Sequence, residues 1–258
     1  MSSEKLTKKE IREPDQFLKV TTEYWNKAAK HQKTVGIAVL AIVGVFLVAA
    51  IVERSFEKKA VNAGGALSRA LETSRRGVAQ GIDPTANPDL PTFPTFQAKY
   101  EAVAAELEKV RSEFSGTEAA RSATYYLADA RFQLGKLDEA DTLYSEFIGL
   151  VGAGDPLRVL ALEGRGYVAE SKKDWAKALE LFDQMSREAA GDQLKAMAAF
   201  HHARILAESG KKQEAAVAFR KIQQDFKDEP TARQAGERLA LLAGEGIVPP
   251  AAPKAEEK

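Results

Sequence analysis

The chain has 258 residues, with 37 Lys/Arg against 37 Asp/Glu and no cysteine. Without cysteine, disulfides, thiolate zinc sites, iron–sulfur clusters and thiol nucleophiles are excluded, and the composition fits an oxidising compartment. Residues 1–52 carry 8 Lys/Arg and 5 Asp/Glu and the remainder 29 and 32, so neither part is basic enough for a phosphate-binding surface and no nucleic-acid partner is expected.

The first element in chain order is a short amphipathic helix. Pro14 and Asp15 read as a helix start, and Phe17, Leu18, Thr21, Tyr24, Trp25 and Ala28 follow at spacings of three and four. Tyr24 and Trp25 are expected at headgroup depth, as a collar for the segment that follows; a cytoplasmic docking helix is the alternative.

That segment, residues 35–52, reads VGIAVLAIVGVFLVAAIV, without a charge. As a helix it spans roughly 27 Å, against a hydrocarbon core of ~30 Å. It predicts a transmembrane helix over 34–52, preceded by a tail at 1–33. Two other readings compete. A buried core helix seldom runs this long without a polar residue, and a signal peptide does not usually have 33 residues before its apolar run or lack a clean A-x-A site. Gly36 and Gly44 share a face but form no GxxxG pair, so tight helix dimerisation is not indicated. Basic residues flank both ends, and the positive-inside rule is weak locally. The tail holds 8 Lys/Arg in 33 residues, which is harder to translocate than to leave behind. The expected topology is an uncleaved signal anchor with the N-terminus in the cytoplasm and the large domain exported.

Residues 53–243 are expected to be helical throughout. A helix at about 53–79 follows the anchor. GIDPTANPDLPTFP, at 81–94, then holds four of the ten prolines and breaks any helix. It reads as a spacer, with a docking element as the alternative. A helix at about 95–114 comes next, and a self-match begins there. Shifted by 112 residues, Lys109 falls on Lys221, Glu113 on Asp225, Phe114 on Phe226, Arg121 on Arg233 and Leu127 on Leu239. One third of that offset is about 37, and alanines recur near it at Ala140, Ala178 and Ala215. Four residues after each stands an aromatic: Tyr144, Phe182, Phe219. Small residues fall where paired helices would cross, at Ala128, Gly166 and Ala203. A capping helix at 230–243 closes the series. The tail 244–258 has too few large apolar residues to order.

GKLDEADTLYSEF, KDWAKALELFDQM and GKKQEAAVAFRKI, each preceded by an amphipathic helix, resemble the tetratricopeptide repeat, a helix–turn–helix of about 34 residues. The resemblance covers 96–243. The units depart from it by three or four extra loop residues and by Arg131, Ala169 and Leu206 in place of a tyrosine late in helix A. The implied fold is all-α: a transmembrane helix followed by a tetratricopeptide-repeat α-solenoid. Stacked hairpins of this kind leave a concave surface lined by the A helices. Counting from the crossing residues, that surface takes Tyr125, Asp129 and Phe132, then Glu163, Tyr167 and Glu170, then Phe200 and Arg204. The second unit has two registers one residue apart between its basic residue and its turn, and the choice rotates its set by ~100°. Aromatic anchors suit peptide segments; Tyr125, Tyr167 and Phe200 as inter-repeat core is the other reading. The surface lacks the Lys/Asn set with which chaperone-adaptor repeats clamp a C-terminal carboxylate.

No catalytic, cofactor or metal site is expected. His201 and His202 are adjacent, so on a helix they diverge by ~100° and cannot chelate together. There is no phosphate loop, nucleophile elbow or HExxH. Tail, anchor, exported repeats and missing cysteine together resemble the bacterial inner-membrane tetratricopeptide proteins typified by the ancillary subunit of the SecYEG translocon. That resemblance implies protein partners, either translocon components or exported clients, and a chaperone-like role in the periplasm. Outer-membrane lipoproteins with similar repeats need a lipid-bearing cysteine and are excluded. The alternative is a structural scaffold for cell-envelope or division machinery.

Overall fold

In the computed structural model, residues 20–26, 32–78 and 92–249 are described. The expected helix start at Pro14, most of the Pro-rich stretch at 81–94, and the end of the tail lie outside those residues. The chain divides into two compact units, Met1–Lys58 and Lys59–Lys258.

In the first unit, residues 20–26 are helical, with Tyr24 and Trp25 exposed. Helix α1 runs Gln32–Arg75, its residues from Lys59 on belonging to the second unit, where the sequence reading had an anchor and a separate helix to 79. No residue between Val52 and Leu71 interrupts the i→i−4 ladder, and α1 ends just before Gly77. The apolar stretch of α1 is long enough and apolar enough to cross a membrane. None of its most apolar window is buried: Leu40 and Phe46 are 72% and 71% exposed. The segment is not packed as a buried core helix in this structure.

The second unit opens with the end of α1 and continues as a succession of antiparallel helices, each packed on the next: α2 (Phe96–Glu113), α3 (Glu118–Gln133), α4 (Leu137–Leu150), α5 (Pro156–Ser171), α6 (Trp175–Glu188), α7 (Asp192–Glu208), α8 (Lys212–Asp225) and α9 (Pro230–Gly244). There is no strand among the described residues. The starts are chemically marked. Thr95, Thr117, Asp155 and Asp174 each accept a bond from a first-turn backbone N–H, and Pro156 and Pro230 open α5 and α9.

The turns between paired helices show the repetition best. In α3–α4, Gly135 takes φ 72°, Gly135 N–H bonds Phe132 C=O, and Lys136 N–H bonds Arg131 C=O. The same two bonds recur with Lys173 and Asp174 after α5, and with Gly210 and Lys211 after α7. Each closes the last carbonyls of helix A through a left-handed residue. The pairs α3–α4, α5–α6 and α7–α8 are thus repeats 1, 2 and 3. Gly246 repeats the turn after α9, which marks α9 as a further helix A.

Packing follows the same period. Ala140, Ala178 and Ala215 are fully buried, and so, to within 1%, are Tyr144, Phe182 and Phe219 four residues on. Each such ring contributes on the order of 1.5–3 kcal/mol by burial. The core clusters bridge repeats: Phe182 and Met185 of α6 share one with Ile205 of α7, and Phe219 and Ile222 of α8 share one with Leu242 of α9. Consecutive A helices also touch, α3 with α5 and α7 with α9. This is an α-solenoid, in which each hairpin's apolar face is covered by its neighbours.

Candidate partner-binding groove

All eight expected groove residues project from A helices at matching positions. Tyr125, Glu163 and Phe200 occupy one; Asp129, Tyr167 and Arg204 the next turn; Phe132 and Glu170 the third. Each is half-buried. The alternatives of groove and core therefore merge: Tyr125, Phe132, Tyr167 and Phe200 all pack on core clusters while keeping an open side. The register of repeat 2 is clear from its glycine. A Cβ on Gly166 would lie 2.5 Å from the Phe182 ring, so Gly166 sits at the helix crossing, as Ala128 and Ala203 do.

A cavity of about 520 Å³ opens between α3 and α5. Five of the eight residues line it: Tyr125, Asp129, Phe132, Glu163 and Tyr167. Tyr100 and Val103 of α2, Tyr144 of α4, and Leu71, Ser74 and Arg75 at the end of α1 complete the wall. Glu170, Phe200 and Arg204 stand apart from it. Arg204 forks onto Glu170, with Nη2 2.7 Å from Oε2, and its guanidinium lies 5.9 Å from the Tyr167 ring centre. Phe200 meets the Phe219 ring at 5.6 Å.

The Tyr144 hydroxyl reaches the floor of the cavity because Gly164 has no side chain. A Cβ there would be 2.3 Å from Tyr144 Cζ, so the ring lies flush on the α5 backbone and its hydroxyl donates to Asp129 Oδ1. Tyr144 is a helix B core position, and periodicity alone gives no sign that its hydroxyl emerges on the other side. On the second wall, the Tyr167 hydroxyl donates to Glu163 Oε1 at 3.1 Å. His201 Nε2 is 2.9 Å from the same oxygen and 3.2 Å from the Tyr167 hydroxyl. His201 is buried and stacks on Phe182 at 5.0 Å, while His202 turns away toward Asp183. The sequence reading takes His201 only as a divergent neighbour of His202 and does not place it beside Glu163 and Tyr167. Its offset from Ala203, the same as that of Gly164 from Gly166, was the available signal that it faces the preceding helix B.

The electrostatics follow from burial. Desolvation raises the pKa of Tyr125, Tyr144 and Tyr167, and the neighbouring carboxylates raise it further, so all three remain neutral donors. Desolvation also raises that of Asp129; the tyrosine hydrogen bonds oppose this and the Glu163 charge adds to it. No cluster able to hold a metal ion is present among the described residues. The arrangement is a set of fixed hydrogen-bonding and aromatic groups around an open volume, which suits binding.

A family model described as a tetratricopeptide repeat matches residues 122–150, which is most of α3 and all of α4. Among curated proteins, none matches the chain. Two solved structures from Podosopora anserina, a kinesin light chain type with nearly identical TPR-like repeats and a point variant of it, are similar at 16% identity and TM-score 0.49. They cover 58% of this chain and 81% and 82% of their own. The match at repeat 1, with the same turns and core positions at repeats 2 and 3, supports the tetratricopeptide-repeat family. A repeat of this type suggests a protein–protein interaction module.

Proposed function

We propose that the chain is a membrane-anchored interaction module whose A-helix groove holds segments of exported proteins beside the Sec translocon of a bacterial inner membrane. Residues 1–33 are then the cytoplasmic tail, 34–52 the membrane span, 53–243 the periplasmic repeat domain and 244–258 a trailing segment. The observation that carries this reading is the cavity between α3 and α5, where five of the eight expected partner-binding residues meet. The exposed apolar stretch of α1 supports the anchor. A tethered groove meets emerging chains at high effective concentration, so individually weak contacts suffice, and micromolar affinity, about −8 kcal/mol, is expected.

Photo-crosslinkers at Tyr125 and Phe132 should capture translocon components or exported clients, while crosslinkers at the exposed Glu139 and Gln213 should not. Capture of cell-division or envelope-structure proteins instead would make the chain a scaffold. Capture from Glu139 and Gln213 alone would move the binding surface to the outer face. The anchor requires the protein to stay in the membrane pellet after alkaline carbonate washing, and the topology requires a reporter active only outside the cytoplasm to work when fused after Lys258.

A further inference from the structure

The cavity between α3 and α5 contains two carboxylates that have no lysine or arginine partner among the described residues. Asp129 and Glu163 stand on its two walls. Asp129 is met by tyrosine hydroxyls, and Glu163 by Tyr167 and His201. Neither pairs with a Lys or Arg among the described residues, and Arg75 at the rim is exposed and bonds to neither. The contrast is Glu170, two turns along α5 from Glu163, which is closed by the Arg204 fork. The remaining wall is largely ring surface, from Tyr100, Tyr125, Tyr126, Tyr144 and Tyr167.

We infer that this cavity takes the cationic side chain of a lysine or arginine on an extended polypeptide segment, seated between Asp129 and Glu163 with its stem against the tyrosines. This rests on the reading of the A-helix surface as the partner-binding groove. The physical case has three parts. Two half-buried carboxylates on facing walls, of which Asp129 has its affinity for a proton raised by burial first and by the Glu163 charge second, are relieved by a positive charge between them. Tyrosine faces attract cations, most strongly once water is displaced. The tyrosine hydroxyls already donate to the carboxylates and hold them in place, so the acceptors are ordered before the ligand arrives. An acidic segment meets like charge on both walls and is rejected. At about 520 Å³ the cavity has room for a long side chain and its flanking backbone.

The test uses the full-length chain in a neutral detergent and three short fluorescent peptides, identical except for a central Arg, Gln or Glu. The Arg peptide is expected to bind about ten-fold tighter than the Gln peptide, with the Glu peptide weakest. In Asp129→Asn and in Glu163→Gln the advantage of Arg over Gln should fall to about two-fold or less. Equal binding of the Arg and Gln peptides, both weakened by Tyr125→Ala, overturns the cation inference and leaves the groove standing. An undiminished Arg advantage in both carboxylate variants also overturns it. If that binding is indifferent to Tyr125→Ala as well, the groove reading falls too. Should a carboxylate variant fail to fold, a photoreactive Arg peptide on the unaltered protein decides: crosslinks to Tyr126 or Leu160 at the cavity support the inference, and crosslinks only elsewhere overturn it.

Discussion

Repeats 1 and 2 have one backbone plan and opposite side-chain solutions. In repeat 1 the A-to-B turn is a left-handed glycine, Gly135; in repeat 2 the same place holds Lys173 at φ 58°. Repeat 1 crosses its helices on Ala128, while repeat 2 uses Gly166 and adds Gly164, both pressed against aromatic rings. On the groove side repeat 1 offers Asp129, met by tyrosines, and repeat 2 offers Glu170, met by Arg204. The small and aromatic core positions, together with the turn, define the solenoid. The groove positions vary freely on top of it, so neighbouring steps of one surface differ in charge without any change of fold.

The largest effect should come from a shared core position. Ala178 is fully buried in repeat 2. Ala178→Arg places an unpaired charge at a helix crossing and should cost on the order of 3–5 kcal/mol, read as a lowered midpoint in urea followed by helical circular dichroism. Unchanged melting would mean that the repeats are out of phase with the core. Next in size is Gly164→Ala. Its Cβ would lie 2.3 Å from Cζ of the Tyr144 ring, which is 1% exposed and would have to shift. Overpacking of this kind costs about 1–3 kcal/mol, although the same change in an open helix would stabilise it. Gly236→Ala is the control: the only close atoms belong to the exposed end of Gln223, so its stability should be equal to or above that of the parent.

Lys173→Gly should act in the opposite direction. A lysine in the left-handed region costs roughly 1–2 kcal/mol relative to glycine, partly offset by glycine's greater freedom when unfolded. Repeat 2 should gain about 1 kcal/mol from the change and become more like repeat 1, while Gly135→Lys should lose a similar amount. A gain at Lys173 without the loss at Gly135 would show that the two turns are not equivalent.

These residues also show what could be read from the sequence. The alanine-plus-four aromatic rhythm marked Ala140 and Tyr144, Ala178 and Phe182, Ala215 and Phe219, because a helix that buries one stripe repeats it. All six are buried. The same count puts the eight groove candidates on the A helices, where each is half-buried. Two features were hidden. The Tyr144 hydroxyl enters the cavity only because Gly164 on another helix leaves a gap, and a pattern within one helix carries no record of its neighbour's missing side chain. His201 looked like one of two divergent histidines until α6 placed Phe182 beneath it. The continuity of α1 was also missed, because composition changes at Val52 while helix propensity does not.

The smallest expected effect separates the two repeats by pH. In repeat 1 burial raises the pKa of Asp129 above its ordinary 3.8. In repeat 2 the Arg158 hydrogen bond lowers that of Glu188 below its ordinary 4.5. The two therefore have opposite linkage. Between 3.8 and the raised value, the folded chain holds a proton on Asp129 that the unfolded chain has released. Stability thus falls as pH climbs through that window and stays lowered above it. Glu188 adds stability above 4.5, and this is lost as pH falls through its depressed value. Asp129→Asn removes the first contribution only. Its amide still accepts from Tyr144, so the variant should fold and, at neutral pH, differ from the parent by less than about 1 kcal/mol. The difference should lie on the stabilising side and vanish below pH ~3.8, where the parent's aspartate is protonated in both states. Denaturant midpoints at several pH values, parent against variant, give this difference directly. A variant that is less stable at neutral pH and equal in acid would show that Asp129 is favoured in its charged form, held by its tyrosines more strongly than burial opposes it.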